Sequence, residues 1–548
     1  MGLTYESAFN SVKTGIMMRK KIKLSALLVL LFLASSCNDF VDINNDPNNP
    51  TKPTLSLLLP ATQMSLVSYF NTVNGGGSAV MQHFASGALN RWNQTGTSFS
   101  TAWSGFYTAT IPDIETVIRE GTTQEAWGYV AIAKLEKAYL YSIMVDLWGD
   151  VPYSQAVGEN PNPGLDKGAE IYTSLFSLID EALADMDKSF TIAAGSDIFY
   201  QGSKANWQRM ANSLKLKMYN QIRLTDPVKA EAGIKALIST GVLLVSDNAQ
   251  DFSFQYGTNV TPNARHPWYV SWYGSGRGGY VSMPLVNNLK DNDDPRLRYY
   301  IFRQNANVGL ANSMNGEGYY GREPGDGAAS PADANTRALI GIYPAGGLYD
   351  NGTIKTLTAA NIYLNNTGAV STSTSNSFKI PLSTSGDGTG AGILPLITNS
   401  MVKFIRAEAA LTMGTGEDAA QLLADAVTAH LNSVSTLAGK NKGTTMPAAT
   451  ITGFVNRIKT QFAAASDAGK MELVMTQKWI SLFGNGVESY NDYRRTGLPR
   501  LGDLVSPLDV YPLRFYYSET ELTSNESLIP DRERIQRAQQ TTPVFWDK

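Results

Sequence analysis

The chain has 548 residues, 43% of them hydrophobic and 17% charged, which is the balance of a folded globular protein with a large buried core. The net charge of −3 includes a basic leader, with Lys13, Arg19, Lys20, Lys21 and Lys23 set against Glu6, so the remainder is the more acidic part. It holds no Lys/Arg-rich block to engage phosphates, which excludes a nucleic-acid partner. The single cysteine, Cys37, excludes an internal disulfide framework.

Taken in chain order, residues 1–36 read as an N-terminal extension followed by a signal peptide. Arg19 to Ser36 has a basic start, an apolar run of about a dozen residues and a small-residue end, too short for a membrane span. Met17 or Met18 is a better natural start than Met1, and Glu6 stands where a myristoylation motif wants Ser or Thr. Cys37 follows Leu33-Ala34-Ser35-Ser36, which is similar to a bacterial lipobox, where a peptidase cuts before a cysteine that is then acylated. Leu at −4 and Ser at −1 depart from the usual pattern. Acyl chains contribute about 0.8 kcal/mol per buried methylene, so a multiply acylated Cys37 would anchor the chain durably.

Residues 37–54 are a polar tether. Asp42, Asn44 and Asp46 have the spacing of a calcium loop, but Pro47 and Pro53 occupy the positions that need Gly and Glu. From residue 55 to 548 a single domain is expected, with a helical scaffold over 55–242 and 395–548. Helices are predicted over 123–150, where Gly149 and Pro152 end the run, over 169–190 and 204–224, and over 228–241 behind an Asp226-Pro227 cap. Four more are predicted over 394–414, 416–434, 449–466 and 470–495. Long helices joined by short breaks suggest tetratricopeptide-like pairs, although no strict 34-residue consensus is present.

Between 243 and 394 Gly, Ser, Asn and Thr dominate and helical periodicity fades, so this stretch reads as a large irregular, loop-rich insertion and the working surface. Its densest aromatic run, residues 263–284, holds Trp268, Tyr269, Trp272, Tyr273 and Tyr280 beside Arg265, His266 and Arg277. Its glycines predict a loop. The aromatics either stack on a sugar or pin the loop to the helical core. "GSGRGG" satisfies a dinucleotide fingerprint literally, but no βαβ pattern surrounds it. An earlier segment offers Arg91 and Trp92 among polar residues, while Trp103, at helical spacing from Phe106 and Tyr107, reads as core. In "DNDDPR" (291–296) an Asp–Arg turn is favoured over a cation site. Arg406, Glu408, Arg494 and Arg495 are expected to form inter-helix ion pairs.

Enzymatic signatures are thin. His83, His266 and His430 lie in three distant regions, and no HExxH or GxSxG pattern occurs. No catalytic residue, cofactor or metal site is expected, though a carboxylate pair that converges only in space leaves a glycoside hydrolase open.

The lipobox cysteine, "DINNDPNNP" (42–50), "LWGDVPYSQAV" (147–157), "DNDDPRLRYYI" (291–301), "FIRAEAAL" (404–411), "ESYNDYRRTGLP" (488–499) and "VYPLRFYYSETELTSN" (510–525) together resemble the landmarks of the SusD/RagB family, in a divergent branch. The resemblance implies a non-catalytic lipoprotein on the cell surface, lipid-anchored in the outer membrane through Cys37. It would capture an oligosaccharide and act as lid to a SusC-like TonB-dependent transporter. Ligand-binding candidates are Arg91, Trp92, Trp268, Tyr269, Trp272, Tyr273 and Arg277. A peptide ligand under the same architecture, or a surface-anchored glycoside hydrolase, are the alternatives.

Overall fold

The computed structural model describes residues 54–85, 94–273, 279–303, 319, 321–324, 338–350, 363–364, 370–371, 388–441, 443–502 and 511–547. The chain divides into Met1–Thr54 and Leu55–Lys548, and the architecture below is that of the second unit. Cys37, the tether up to residue 53 and the calcium-like spacing lie outside the described residues.

The second unit opens with α1 (Leu55–Val80), which the sequence reading did not place. It has no charged residue, and Leu59, Leu66, Phe70, Val73 and Val80 turn into the core. Short α2 (Ser100–Gly105) passes through a π-turn into α3 (Ile111–Thr123), and α4 (Trp127–Trp148) follows. Buried nearly all round, α4 is the central helix, as a helix apolar on every face must be. It ends where predicted: Gly149 takes φ +89°, and Asp150 turns back to accept from Gly168 N–H at 3.0 Å and to pair with Lys167 at 2.7 Å.

The partners α5 (Gly168–Lys188), α6 (Lys204–Gln221) and α7 (Pro227–Ser239) come next. Asp226 caps α7 by accepting from Lys229 N–H, with Pro227 in the first turn, as the sequence suggests.

The region 243–394 is less irregular than its composition suggests. It holds β2 (Phe252–Gln255), α8 (Pro267–Tyr273), β3 (Tyr280–Val281), α9 (Met283–Asp291), α10 (Leu297–Tyr300), β4 (Ile301–Phe302), β5 (Leu339–Ile340), β6 (Tyr363–Leu364) and β7 (Val370–Ser371). Within the run 263–284, read as loop, α8 is a helix; Pro267 supplies its first turn and the aromatics its buried face.

Every described ladder is antiparallel and two-stranded: β1 (Phe84–Ala85) with β3, β4 with β5, β6 with β7, and β2 with β8 (Ile393–Ile397). β8 corrects a helix predicted from Leu394. Its five residues are buried on both faces, Pro395 cannot serve a helix interior, and helix α11 (Asn399–Met413) starts only after the Thr398 cap.

The scaffold resumes through α11, α12 (Ala419–Lys440), α13 (Ala448–Ala464), α14 (Asp467–Ser481) and α15 (Gly486–Thr496). The single helix predicted over 470–495 is two. Gly484, at φ +111°, breaks it, and Asn485 caps the second piece by accepting from Glu488 N–H. The chain closes with α16 (Glu519–Ser524) and α17 (Arg532–Thr541).

Consecutive helices pack pairwise, α3 on α4, α4 on α5, α6 on α7, α11 on α12 and α12 on α13, and α15 crosses back onto α1. The fold is mostly α: a scaffold of tetratricopeptide-like pairs carrying a loop-rich insertion. Gly77 and Gly486 make the α1–α15 crossing possible, since a Cβ on Gly486 would lie 2.1 Å from the Ser78 nitrogen. Asn74 seals the crossing, donating to the Gly484 carbonyl at 3.0 Å and accepting from Gly486 N–H at 2.6 Å.

Candidate functional site

Helix α8 is held in place by its own aromatics. Tyr273 donates its hydroxyl to the Ile340 carbonyl at 2.6 Å and accepts from Leu348 N–H at 2.9 Å. Tyr269 donates to the Gly388 carbonyl at 2.5 Å, and the two tyrosine rings stack at 4.7 Å. Trp272 lies against Phe84 at 5.4 Å. Tyr269, Trp272 and Tyr273 are 4%, 4% and 5% exposed, which leaves no ring face for a sugar. Of the two readings weighed in the sequence, pinning the segment to the core describes these three; as stacking platforms they are corrected.

Trp268 differs. It is half-buried and stands edge-on to half-buried Phe84 at 4.6 Å, with His266 at 5.5 Å. Behind His266 lies the ring of Tyr256 at 4.6 Å, whose hydroxyl accepts from Asn71 Nδ2 at 2.6 Å. Asn71 on α1, Phe84 on β1, Tyr256 after β2 and Trp268 on α8 thus form one partly exposed cluster around a buried histidine. Burial pushes the His266 imidazole down to about 3 and the Tyr256 phenol up to about 12, so both are neutral at physiological pH. The named cluster contains no carboxylate. What it offers is apolar ring surface with neutral hydrogen-bonding edges, suited to holding an uncharged polar ligand.

Arg91, Trp92 and Arg277 lie outside the described residues, in 86–93 and 274–278. The described residues bounding those segments are neighbours, because Ala85 at the end of β1 pairs with Tyr280 at the start of β3. Arg322 lays its guanidinium 3.6 Å over the Tyr280 ring and donates to the Tyr280 hydroxyl at 2.9 Å. One ladder therefore brings Ala85 and Tyr280 together next to Phe84, which packs on Trp268.

Sequence reasoning missed Asn71, Phe84 and Tyr256. For Tyr256 a signal existed: Phe252, Phe254 and Tyr256 alternate, as residues on one face of a strand do.

The remaining candidates settle into structure. Trp103 is core, 2% exposed. In "DNDDPR" Asp294 accepts from Arg296 Nε at 2.8 Å, the expected Asp–Arg turn. Arg406 pairs with Glu417, and Glu408 with Arg223 and Arg495. Arg494 departs from expectation: it donates to the Leu513 and Asp146 carbonyls and to Asn491.

All three histidines are buried. Burial pushes up the carboxyls of Glu136, to about 8, on α4, of Asp251, to about 7, just before β2, and of Glu488 on α15. Glu136 is fully buried and accepts from the Thr62 hydroxyl at 2.7 Å. Among the described residues no group of three or more His, Cys, Asp or Glu could hold a metal ion, and no helix is long and apolar enough to cross a membrane.

The family model for SusD-like proteins, described as starch-binding and associating with the outer membrane, matches residues 47–518. No curated protein sequence matches. Among solved structures, a chitin-binding protein superposes with a TM-score of 0.67 at 22% identity, over 90% of this chain and 99% of its own. A SusD/RagB family protein from Bacteroides thetaiotaomicron gives 0.67 at 18% identity, over 90% and 99%. A chitin-binding SusD homolog from Flavobacterium johnsoniae gives 0.63 at 18% identity, over 89% and 99%. At these identities the superpositions carry the fold, while the family model covers most of the chain. The chain belongs to the SusD-like family.

Proposed function

We propose that the protein is a non-catalytic lipoprotein of the outer membrane, anchored through Cys37 and facing the cell exterior. It captures a nutrient oligosaccharide and delivers it to a SusC-like TonB-dependent transporter, over which it acts as a lid. Membership of an outer-membrane, starch-binding family supports the setting, and two of the superposed structures are named for chitin binding, which favours a glycan over a peptide as cargo.

The observation that carries the reading is the cluster of Asn71, Phe84, Tyr256 and Trp268 beside the Ala85–Tyr280 pair. Trp268 is half-buried there rather than sealed into the core. Arg91, Trp92, Trp268 and Arg277 are the proposed contacts, with Tyr269, Trp272 and Tyr273 as the support that fixes Trp268.

The test is purification of the acylated protein in mild detergent, followed by incubation with a polysaccharide panel. The reading requires a co-purifying β-barrel transporter, retention of a glycan and no released product. Loss of the barrel, or product formation, contradicts it.

A further inference from the structure

A cavity of about 710 Å³ opens where the turn after α4, from Asp150 to Lys167, faces the closing segment that carries α16 and α17. Its size falls in the range of roughly 300–1,000 Å³ usual for small-molecule sites. None of the described residues that line it belongs to the aromatic cluster. The buried part of the lining is Arg514, Tyr517, Leu528 and Ile535. Tyr517 donates its hydroxyl to the Asp150 carbonyl at 2.6 Å, and Arg514 donates from Nη1 to the Trp148 carbonyl at 3.2 Å. The main chain at the end of α4 thus fixes this floor. The exposed part is charged but balanced. Lys167 pairs with Asp150 at 2.7 Å, and Arg534 pairs with Asp531 at 2.9 Å. Hydroxyls of Ser527 and Thr542 stand among these pairs on the exposed rim.

A rim of matched pairs does not call for a counter-ion, yet it is dense in hydrogen-bonding capacity. An ammonium carries three N–H donors, a guanidinium five, and each carboxylate oxygen two lone pairs. Each pair therefore sets donors and acceptors side by side. Neighbouring hydroxyls on a sugar ring complement that pattern, because every hydroxyl both donates and accepts, and bonds to charged groups are the stronger kind. Leu165, Leu528 and Ile535 offer apolar surface to the ring C–H groups. Tyr517, the one aromatic ring among the described lining residues, is 2% exposed and offers no stacking face. From this we infer that the cavity is a second glycan site, which holds an uncharged oligosaccharide through Lys167, Asp531 and Arg534 by hydrogen bonding rather than by stacking. The inference rests on the reading of the protein as a glycan-capturing one.

The test is titration calorimetry of the mature protein with an oligosaccharide panel that includes chitotriose and maltotriose, repeated on the double variant D531A/R534A. Both side chains are more than half exposed, and removing them together leaves no orphan charge, so the melting temperature stays unchanged. The parent shows two saturable sites for at least one sugar, and the double variant weakens one of them at least about tenfold. The site that remains is the one that Trp268→Ala weakens. A single parental site that the double variant removes supports the cavity and withdraws the aromatic cluster as a glycan site. A single site that the double variant retains, or two sites that it leaves unchanged, overturns the cavity alone. Absence of binding across the panel up to about 10 mM overturns the cavity together with the glycan reading.

Discussion

Glu408 and Arg495 meet in a buried ion pair, with Arg495 Nη2 at 2.9 Å from each carboxylate oxygen. Glu408 also accepts from Arg223 at 2.8 Å and Asn220 at 3.0 Å. Lys478 bridges onward to Asp492 at 2.8 Å, and Lys217 joins Asp146 at 3.0 Å to Glu488 at 2.9 Å. Asp146, Glu408, Glu488 and Asp492 therefore face Lys217, Arg223, Lys478 and Arg495, on helices α4, α6, α11, α14 and α15 and, for Arg223, in the turn after α6. Such a network is a requirement for a particular helix arrangement, since each charge is tolerable only beside its partner. The surrounding cations, Arg495 first, hold the Glu408 carboxyl well below the usual carboxylate range against the opposing effect of burial.

Removing one partner leaves the other buried and unpaired. Arg495→Met is expected to lower stability by about 3–5 kcal/mol, read from denaturant unfolding. Arg532→Met, at a partly exposed pair with Glu519, should cost at most about 1 kcal/mol. Equal effects from the two would remove the network from its place in the account.

Glu136 gives the opposite pH dependence. Unfolded, its carboxyl ionises near 4.5; folded, burial pushes it up to about 8. Between those values the unfolded chain releases a proton that the folded chain keeps, so stability falls as pH rises from about 4.5 to about 8. Glu136→Gln retains the shape and the Thr62 hydrogen bond without ionising. The variant is expected to melt several degrees above the parent at pH 8 and close to it at pH 5. A difference that does not depend on pH would show that Glu136 is ionised in the fold.

The helix crossing makes a steric prediction. Gly486→Ala drives a Cβ into the Ser78 backbone and is expected to destabilise strongly, by about 3 kcal/mol or more. Gly453, exposed within α13 with nothing near its Cβ position, is the contrast: Gly453→Ala should stabilise by about 1 kcal/mol. Thermal melts of the two variants in one buffer check both signs.

The scaffold was largely legible in the sequence because apolar period, Gly149 and the Asp226-Pro227 pair act locally, within a few residues of the structure they specify. Helix α1, which has no charged residue, carries no charge patterning to mark it, and Gly77 within it is there for the approach of Gly486. β8 looked helical because its run Leu394 to Ile397 is apolar on every side, and only its pairing with β2 makes it a strand. The site was half legible. Aromatic density singled out residues 263–284 but not the helix in them, and which rings face inward depends on Ile340, Leu348 and Gly388, more than 60 residues away in the chain.

Glycan binding by the mature protein and its Trp268→Ala variant, measured by calorimetry against a panel that includes chitin oligosaccharides, tests the central claim most directly. The account predicts saturable binding of at least one oligosaccharide, weakened at least about tenfold in Trp268→Ala by loss of one stacking face, with the melting temperature nearly unchanged. No binding across the panel up to about 10 mM, or equal affinity in the variant, would contradict it.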